Sequence, residues 1–188
     1  ANFTPPNPSG SDTKNIYKMT IAVSEEETEL NFIASDFTYE GSTLTGFSET
    51  GLSKFEKNKN VNLPDESTDG TTITAIGSNA FERDDYETGT DEFISPNGIK
   101  TLVLPASLVE IGQGAFRYNA IEEVVFPETL EKIGNFAFFG NRITEVNLPN
   151  SVTEIGISSF GTNKIEKVYT SENMKSIANG AFSRNLML

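Results

Sequence analysis

The sequence has no cysteine, no histidine and no tryptophan among its 188 residues. Without thiolate or imidazole ligands the usual zinc and iron sites cannot form, and catalysis by a cysteine nucleophile is excluded as well. Histidine is also the commonest general base in enzymes. We therefore expect no metal site and no cofactor in this protein.

Positive charge is scarce, because 14 Lys and Arg against 27 Asp and Glu leave a formal net charge of -13. Nucleic acid and anionic lipid both require a cationic face, so neither is an expected partner. No window reaches the roughly 20 apolar residues of a membrane-spanning helix, and the first residues lack the pattern of a signal peptide. We expect no membrane insertion, and any export signal or anchor must lie outside this sequence.

Composition divides the chain into three regions. Residues 1–14 are rich in Pro, Ser, Asn and Gly and are interpreted as a disordered linker. Residues 15–60 predict a small β-rich N-terminal cap, and residues 61–188 predict a repeat solenoid. Its first repeat, 61–96, is irregular, and the repeats in 97–188 are regular. A cap is expected because the first coil of such an array would otherwise expose its apolar interior.

Within the cap, two β-prone runs predict strands at residues 16–23 and 30–33. The pair Glu40-Gly41 lies between two further β-prone segments. This arrangement predicts a hairpin in which the glycine supplies a positive φ.

A period of 22 residues organises the rest of the chain. Apolar-Pro, Ile-Gly, small-Phe and Asn positions recur in register, so the unit predicts one coil of a solenoid. The Ile column is Ile111, Ile133, Ile155 and Ile177, the Phe column is Phe81, Phe116, Phe138, Phe160 and Phe182, and the Asn column is Asn97, Asn119, Asn141, Asn163 and Asn185.

Each column has a mechanical interpretation. The segment 121–126 predicts a strand that stacks on its equivalents as a parallel sheet, with about 4.8 Å between neighbouring strands. Proline then ends the strand, and the glycine after Ile permits the turn that a closed coil requires. The Phe column should stack in the interior, and the Asn column should bond backbone groups at the turns. Insertions in the irregular first repeat should project as loops.

The units LPASLVEIGQGAFRYN, FPETLEKIGNFAFFGN and LPNSVTEIGISSFGTN resemble the BspA-like leucine-rich repeats of bacterial cell-surface proteins. The resemblance implies a leucine-rich repeat solenoid without catalytic residues, displayed outside the cell, in a family where adhesion is a common assignment. Thr170-Ser171 departs from the apolar-Pro pair of the other units. Because the chain stops where another coil would begin, we expect a truncated array.

Outward strand positions are where a solenoid presents a ligand-binding surface. In this sequence they form two columns, in which Glu123 and Glu145 should lie side by side with Lys167 beside them. The alternative interpretation is an ordinary solvated sheet. The eight candidate ligand-binding residues are Thr101, Val103, Glu123, Val125, Glu145, Asn147, Lys167 and Tyr169.

The acidic insertion 83–95 carries carboxylates that could gather around a calcium ion if the loop folded on itself. Their spacing does not match an EF-hand loop, so a solvated loop is the preferred interpretation. The five carboxylates are Asp84, Asp85, Glu87, Asp91 and Glu92.

The sequence therefore predicts a monomeric, non-catalytic, extracellular recognition or adhesion module, secreted or held at the bacterial cell surface, whose ligand is a protein or a glycan. A passive spacer in a larger cell-wall protein is the alternative. A carbohydrate-active enzyme using a carboxylate pair is a more remote one, because no insertion in the repeats forms a visible pocket.

Overall fold

A computed structural model describes residues 31–84 and 97–185. The linker 1–14, the predicted strand 16–23 and nearly all of the acidic insertion lie outside the described residues. The described elements are a 3-10 helix at Ala34–Asp36, the helix α1 (Glu49–Lys57), and the strands β1 (Phe37–Glu40), β2 (Thr43–Phe47), β3 (Asn60–Asn62), β4 (Ala75–Ile76), β5 (Thr101–Val103), β6 (Glu110–Ile111), β7 (Lys132–Ile133), β8 (Glu145–Asn147), β9 (Glu154–Ile155), β10 (Lys167–Tyr169) and β11 (Ser176–Ile177).

A seven-stranded sheet, here called the main sheet, runs along the whole array in the order β1-β2-β4-β6-β7-β9-β11. The strands β1 and β2 form an antiparallel hairpin, and every later pair is parallel. Gly41 turns the hairpin at φ 60°, as the Glu40-Gly41 pair predicts. The hairpin thus starts the sheet that the repeats continue.

Five coils follow the hairpin, and each contributes one strand to the main sheet. They are coil 1 (61–81), coil 2 (99–119), coil 3 (121–141), coil 4 (143–163) and coil 5 (165–185). A second layer, here called the minor sheet, consists of the parallel pairs β3-β5 and β8-β10 and a single bridge between Thr101 and Glu123. This arrangement confirms the predicted repeat solenoid.

The Phe column forms the axis of the core. Consecutive rings from Phe81 to Phe182 stack with centroids 5.3 to 5.4 Å apart and planes within 16° of parallel. At the N-terminal end Phe37 and Phe47 meet Phe81 edge-on at 6.2 and 4.9 Å. The hairpin therefore covers the apolar end of the column, which is the role expected of a cap.

The Asn column forms a ladder of buried side chains at the turns. Asn119 accepts a hydrogen bond from the backbone N–H of Ile99 in its own coil and donates to the carbonyl of Phe81 in the coil before, both at 2.8 Å. Asn141, Asn163 and Asn185 repeat this pattern. Each side chain thus closes one coil and fastens it to its neighbour. Asn97 is exposed and lies before the first regular coil.

The glycine after Ile has a different role from the one that the sequence predicts. None of the four described glycines at this position has a positive φ. Instead, a Cβ on Gly134 would lie 2.7 Å from the backbone nitrogen of Gln113 in the preceding coil. Glycine is needed because the coils approach so closely here. The left-handed residue of the turn comes two positions later, as at Gly114, φ 63°.

The described part of the predicted cap, residues 31–60, contains helical turns as well as the hairpin. Residues 31–33 are not a strand, because the buried carboxylate of Asp36 accepts from the backbone N–H of Ile33 and holds this segment in a 3-10 turn. The helix α1 was not predicted. Ser48 caps its N-terminus by accepting from the backbone N–H of Gly51, and Lys54 forms a 2.6 Å ion pair with Asp36.

The insertion in the first repeat projects as a loop, as predicted. An antiparallel bridge between Glu66 and Thr72 closes it. The backbone and side chain of Asp65 bond to Ile73 and Ala106, so the base of the loop is fixed to coils 1 and 2.

Candidate functional site

The outer face is the exposed surface of the minor sheet. In β5, β8 and β10 the middle residue points inward and its two neighbours point outward. The parallel register places Lys167 beside Glu145 and Tyr169 beside Asn147. All eight candidate ligand-binding residues are exposed and lie on this face.

One column of the outer face is apolar at three of its four regular coils. Val103, Val125 and Tyr169 are 55%, 75% and 51% exposed, with Asn147 between the last two. The described residues expose seven large hydrophobic side chains, and these three belong to one column. An apolar strip on an otherwise charged surface is a feature of binding sites.

The neighbouring column carries charge. The Nζ atom of Lys167 lies 3.8 Å from the carboxylate of Glu145. Lys167 therefore offsets the negative charge of Glu145, as predicted, but it has no such contact with Glu123 among the described residues. Glu123 and Glu145 are not paired in the sheet as the sequence predicts. Glu123 bridges only to Thr101 on its other side.

The minor sheet is split between coil 3 and coil 4. Coils 4 and 5 are joined by hydrogen bonds from Glu166 N–H to the Thr144 carbonyl, 2.8 Å, and from Leu148 N–H to the Tyr169 carbonyl, 3.0 Å. The equivalent hydrogen bonds between coils 3 and 4 would be donated by the amides of Thr144 and Phe126. Within the described residues neither amide has an acceptor, and no bridge joins 122–126 to 144–148.

The split is closed at both ends. On its N-terminal side, Arg142 N–H donates to the carbonyl of Ile121 at 2.9 Å. On its C-terminal side, Thr153 N–H donates to the carbonyl of Glu131 at 2.9 Å. The main sheet also continues unbroken from β7 to β9. The predicted strand 121–126 is therefore wrong for coil 3, which has only the bridge at Glu123.

Phe126 accounts for the split. The equivalent residues in coils 2 and 4 are Leu104 and Leu148, and the larger ring of Phe126 is buried between coils 3 and 4. It meets Phe138 of its own coil at 5.7 Å and Phe160 of the next coil at 6.1 Å, edge-on in both contacts. Because interiors are closely packed, a wider side chain at this position separates the strands above it.

A groove of about 880 Å³ occupies the split. Val125, Asn147 and Glu145 of the outer face lie along it, and Val124 and Phe126 form part of its lining. Its volume is within the range of ligand pockets. Its charged lining residues are Glu122, Glu123, Glu128, Glu145, Arg142 and Lys164.

A family model described as the BspA-type leucine-rich repeat region matches residues 86–188 in six copies. The match covers more than half of the sequence. The chain belongs to the BspA-type leucine-rich repeat family. This result confirms the resemblance that the repeat units indicate.

Two solved structures resemble this BspA-type chain. A leucine-rich repeat protein from Bacteroides ovatus ATCC 8483 matches 84% of this chain and 45% of its own length, with a TM-score of 0.56 and 24% identity. The pneumococcal vaccine antigen PcpA matches 73% of this chain and 36% of its own, with a TM-score of 0.51 and 25% identity. The chain therefore spans less than half the length of either protein. No curated protein matches it.

Sequence reasoning missed a cluster of aromatic side chains around Arg117. The guanidinium lies 4.4 Å from the ring centroid of Tyr118, 5.4 Å from Phe136 and 5.7 Å from Phe139. It also reaches Glu82 at 3.3 Å. The cation–π contacts with Phe136 and Phe139 therefore join coil 2 to coil 3, and the ion pair with Glu82 joins coil 2 to the residue that follows coil 1.

Two members of this cluster have left-handed backbone, Tyr118 at φ 60° and Phe136 at φ 56°. The positions equivalent to Phe136 in coils 2 and 5 are glycines, and Gly140 is equivalent to Tyr118. A bulky residue in this conformation costs about 1 to 2 kcal/mol. The signal was present in the sequence as two aromatic residues in columns that otherwise hold small or polar ones.

The described residues contain no group of three or more acidic side chains placed to hold a metal ion. Two groups have displaced pKa values for structural reasons. Burial, followed by the charge of Asp36, raises the pKa of Tyr39 to about 12. Hydrogen bonds from Ser67 and then Thr71 lower the pKa of Asp69 to about 2, within the loop of the first repeat.

No helix among the described residues has the length and apolar character to cross a membrane.

Proposed function

We propose that this BspA-type array is a non-catalytic extracellular recognition or adhesion module, which binds a protein or glycan of a host or matrix through its outer face. The apolar column of Val103, Val125 and Tyr169 carries this proposal. A partner that docks on this column would bury these exposed side chains, and tyrosines such as Tyr169 are enriched among the residues that supply most of the binding energy at protein interfaces. The column is flanked by Glu145 and Lys167, which would form the polar rim of such an interface.

The proposed location at the cell surface has independent support. BspA-type repeats are typical of surface proteins, and PcpA, which has the same fold over 73% of this chain, is a vaccine antigen.

A passive spacer is the second candidate. The stacked Phe column and the Asn ladder join every pair of adjacent regular coils, so the array would hold its ends at a fixed separation. A spacer needs no binding surface, and the two candidates therefore differ in what happens when the outer face is altered.

The test is binding of the purified chain to a panel of immobilised matrix proteins and glycans. The double variant Val125→Ser, Tyr169→Ala changes the outer face, and Leu52→Ala, Ile157→Ser is the control, because those side chains are 47% and 46% exposed elsewhere. We expect saturable binding that the first variant weakens at least about tenfold and the control leaves within about twofold. Equal losses would contradict the proposed surface, and no binding to any member of the panel would favour the spacer.

A further inference from the structure

The split in the minor sheet leaves two strand-like edges facing each other across the groove. The amides of Phe126 and Thr144 lack acceptors among the described residues, while the equivalent amides of Leu148 and Glu166 are bonded. Unpaired backbone groups along an edge are a template for another extended chain. We propose that the groove between coils 3 and 4 binds an extended peptide segment carrying lysine or arginine side chains, which pairs its backbone with these edges.

Charge complementarity supports a basic peptide. Four glutamates and two cations line the groove, so its lining has a net negative charge. Alternate side chains of an extended peptide point to the same side, so lysines at every second position could reach these glutamates in turn. Arg142 and Lys164 also line the groove, and each lies just before the first residue of a coil. The positive charge of the lining is therefore placed at the N-terminal end of the strand segments.

A glycan fits the groove less well. Sugar rings are commonly held by exposed aromatic faces, whereas Phe126, the one aromatic residue of the lining, is only 6% exposed. The unbonded amides of Phe126 and Thr144 instead offer backbone donors to the carbonyls of an extended peptide. Residues 122–128 span about 23 Å if fully extended, which corresponds to a peptide of about seven residues.

This inference rests on the proposed recognition function and concerns the part of the outer face where Glu123, Val125, Glu145 and Asn147 line the groove. The column of Val103, Val125 and Tyr169 remains when the groove is closed. Phe126→Leu, which installs the residue found at the equivalent Leu104 and Leu148, should let the strands pair and remove the groove. Panel binding by this variant then tests the outer face alone.

The probe is a blocked seven-residue peptide of alternating threonine and lysine, measured by calorimetry or fluorescence polarisation against the whole chain. We expect saturable binding that Phe126→Leu weakens at least about tenfold. Glu122→Gln, Glu145→Gln should weaken it about three- to tenfold, since each exposed charge pair contributes modestly. This second variant changes only exposed side chains, so it remains informative if Phe126→Leu folds poorly.

Three controls separate pairing in the groove from simple attraction to an acidic protein. Glu110→Gln, Glu131→Gln makes the same charge change in exposed residues elsewhere and should alter affinity less than twofold. A peptide with methylated amide nitrogens at alternate positions should bind at least about tenfold more weakly, and one with glutamate in place of lysine should not bind. The proposal is wrong if the two double variants weaken binding equally or if methylation has no effect.

The outcomes also distinguish this inference from the proposed function. If a panel ligand binds and the peptide does not, or if an oligosaccharide of the panel binds the groove in its place, the peptide site is refuted and the outer face stands. If the peptide binds and Phe126→Leu abolishes it while no panel member binds, the groove is supported and the adhesion role is not.

Discussion

Removal of one ring from the middle of the Phe column should cost far more than removal of the ring at its end. Phe138 is fully buried, stacks on Phe116 at 5.3 Å and on Phe160 at 5.4 Å, and meets Phe126 edge-on. Burial of a phenylalanine removes about 150 to 250 Å² from water, which at about 25 cal/mol per Å² gives roughly 4 to 6 kcal/mol. Measured Phe→Ala changes of about 3 to 5 kcal/mol agree with this range.

Phe182 is the matched comparison. It is only partly buried and stacks on one ring, Phe160, at 5.3 Å. We therefore expect Phe182→Ala to lower the free energy of unfolding by about 1.5 to 2.5 kcal/mol and Phe138→Ala by about 4 kcal/mol. Urea unfolding followed by circular dichroism measures both. Equal losses, or a loss below about 1 kcal/mol for Phe138→Ala, would refute the interior column as the main source of stability.

Three further predictions concern the ladder, the coil contacts and pH. Asn141→Ala leaves buried backbone groups unpaired and should cost about 2 to 4 kcal/mol in urea unfolding, while Asn62→Ala, at an exposed position of β3, should cost under about 0.5 kcal/mol. Gly134→Ala places a Cβ 2.7 Å from the backbone nitrogen of Gln113, so a loss of about 1 to 3 kcal/mol is expected, and an unchanged midpoint would contradict the close approach. Because its pKa is raised to about 12, Tyr39 contributes stability that is present below pH 10 and is lost as the pH rises through 12. Ultraviolet titration should show this late ionisation in the native chain and not in Tyr39→Phe.

The repeat itself was predictable because every coil must satisfy the same packing demands. Interior columns such as Phe116 and Phe138, and the buried amides of Asn119 and Asn141, recur at 22 residues and therefore appear directly in the sequence. The outward positions follow from strand alternation, which is why the candidate residues lie together on one face. The hairpin at Gly41 was predictable for a local reason, since few residues besides glycine adopt its backbone conformation.

The split in the minor sheet was not predictable from the period. It depends on one residue, Phe126, which stands where coils 2 and 4 have Leu104 and Leu148 and which contacts Phe160 of the neighbouring coil. Likewise, the contacts of Arg117 with Phe136 and Phe139 join residues of different coils and follow no column. The helix α1 is hard to predict because β-prone residues flank it, and the capping residue Ser48 is equally common in turns. The close approach at Gly134 requires the distance between coils, which sequence spacing does not give.

Whether the outer face opens into a groove between coils 3 and 4 is tested most directly by amide hydrogen exchange of the free chain. The amides of Thr144 and Glu166 occupy equivalent positions, but only that of Glu166 is hydrogen-bonded to the preceding coil, at 2.8 Å. We predict that Thr144 exchanges at least about a hundredfold faster than Glu166. Equal protection of the two amides would mean that the strands are paired, and it would remove the basis for a binding groove at this site.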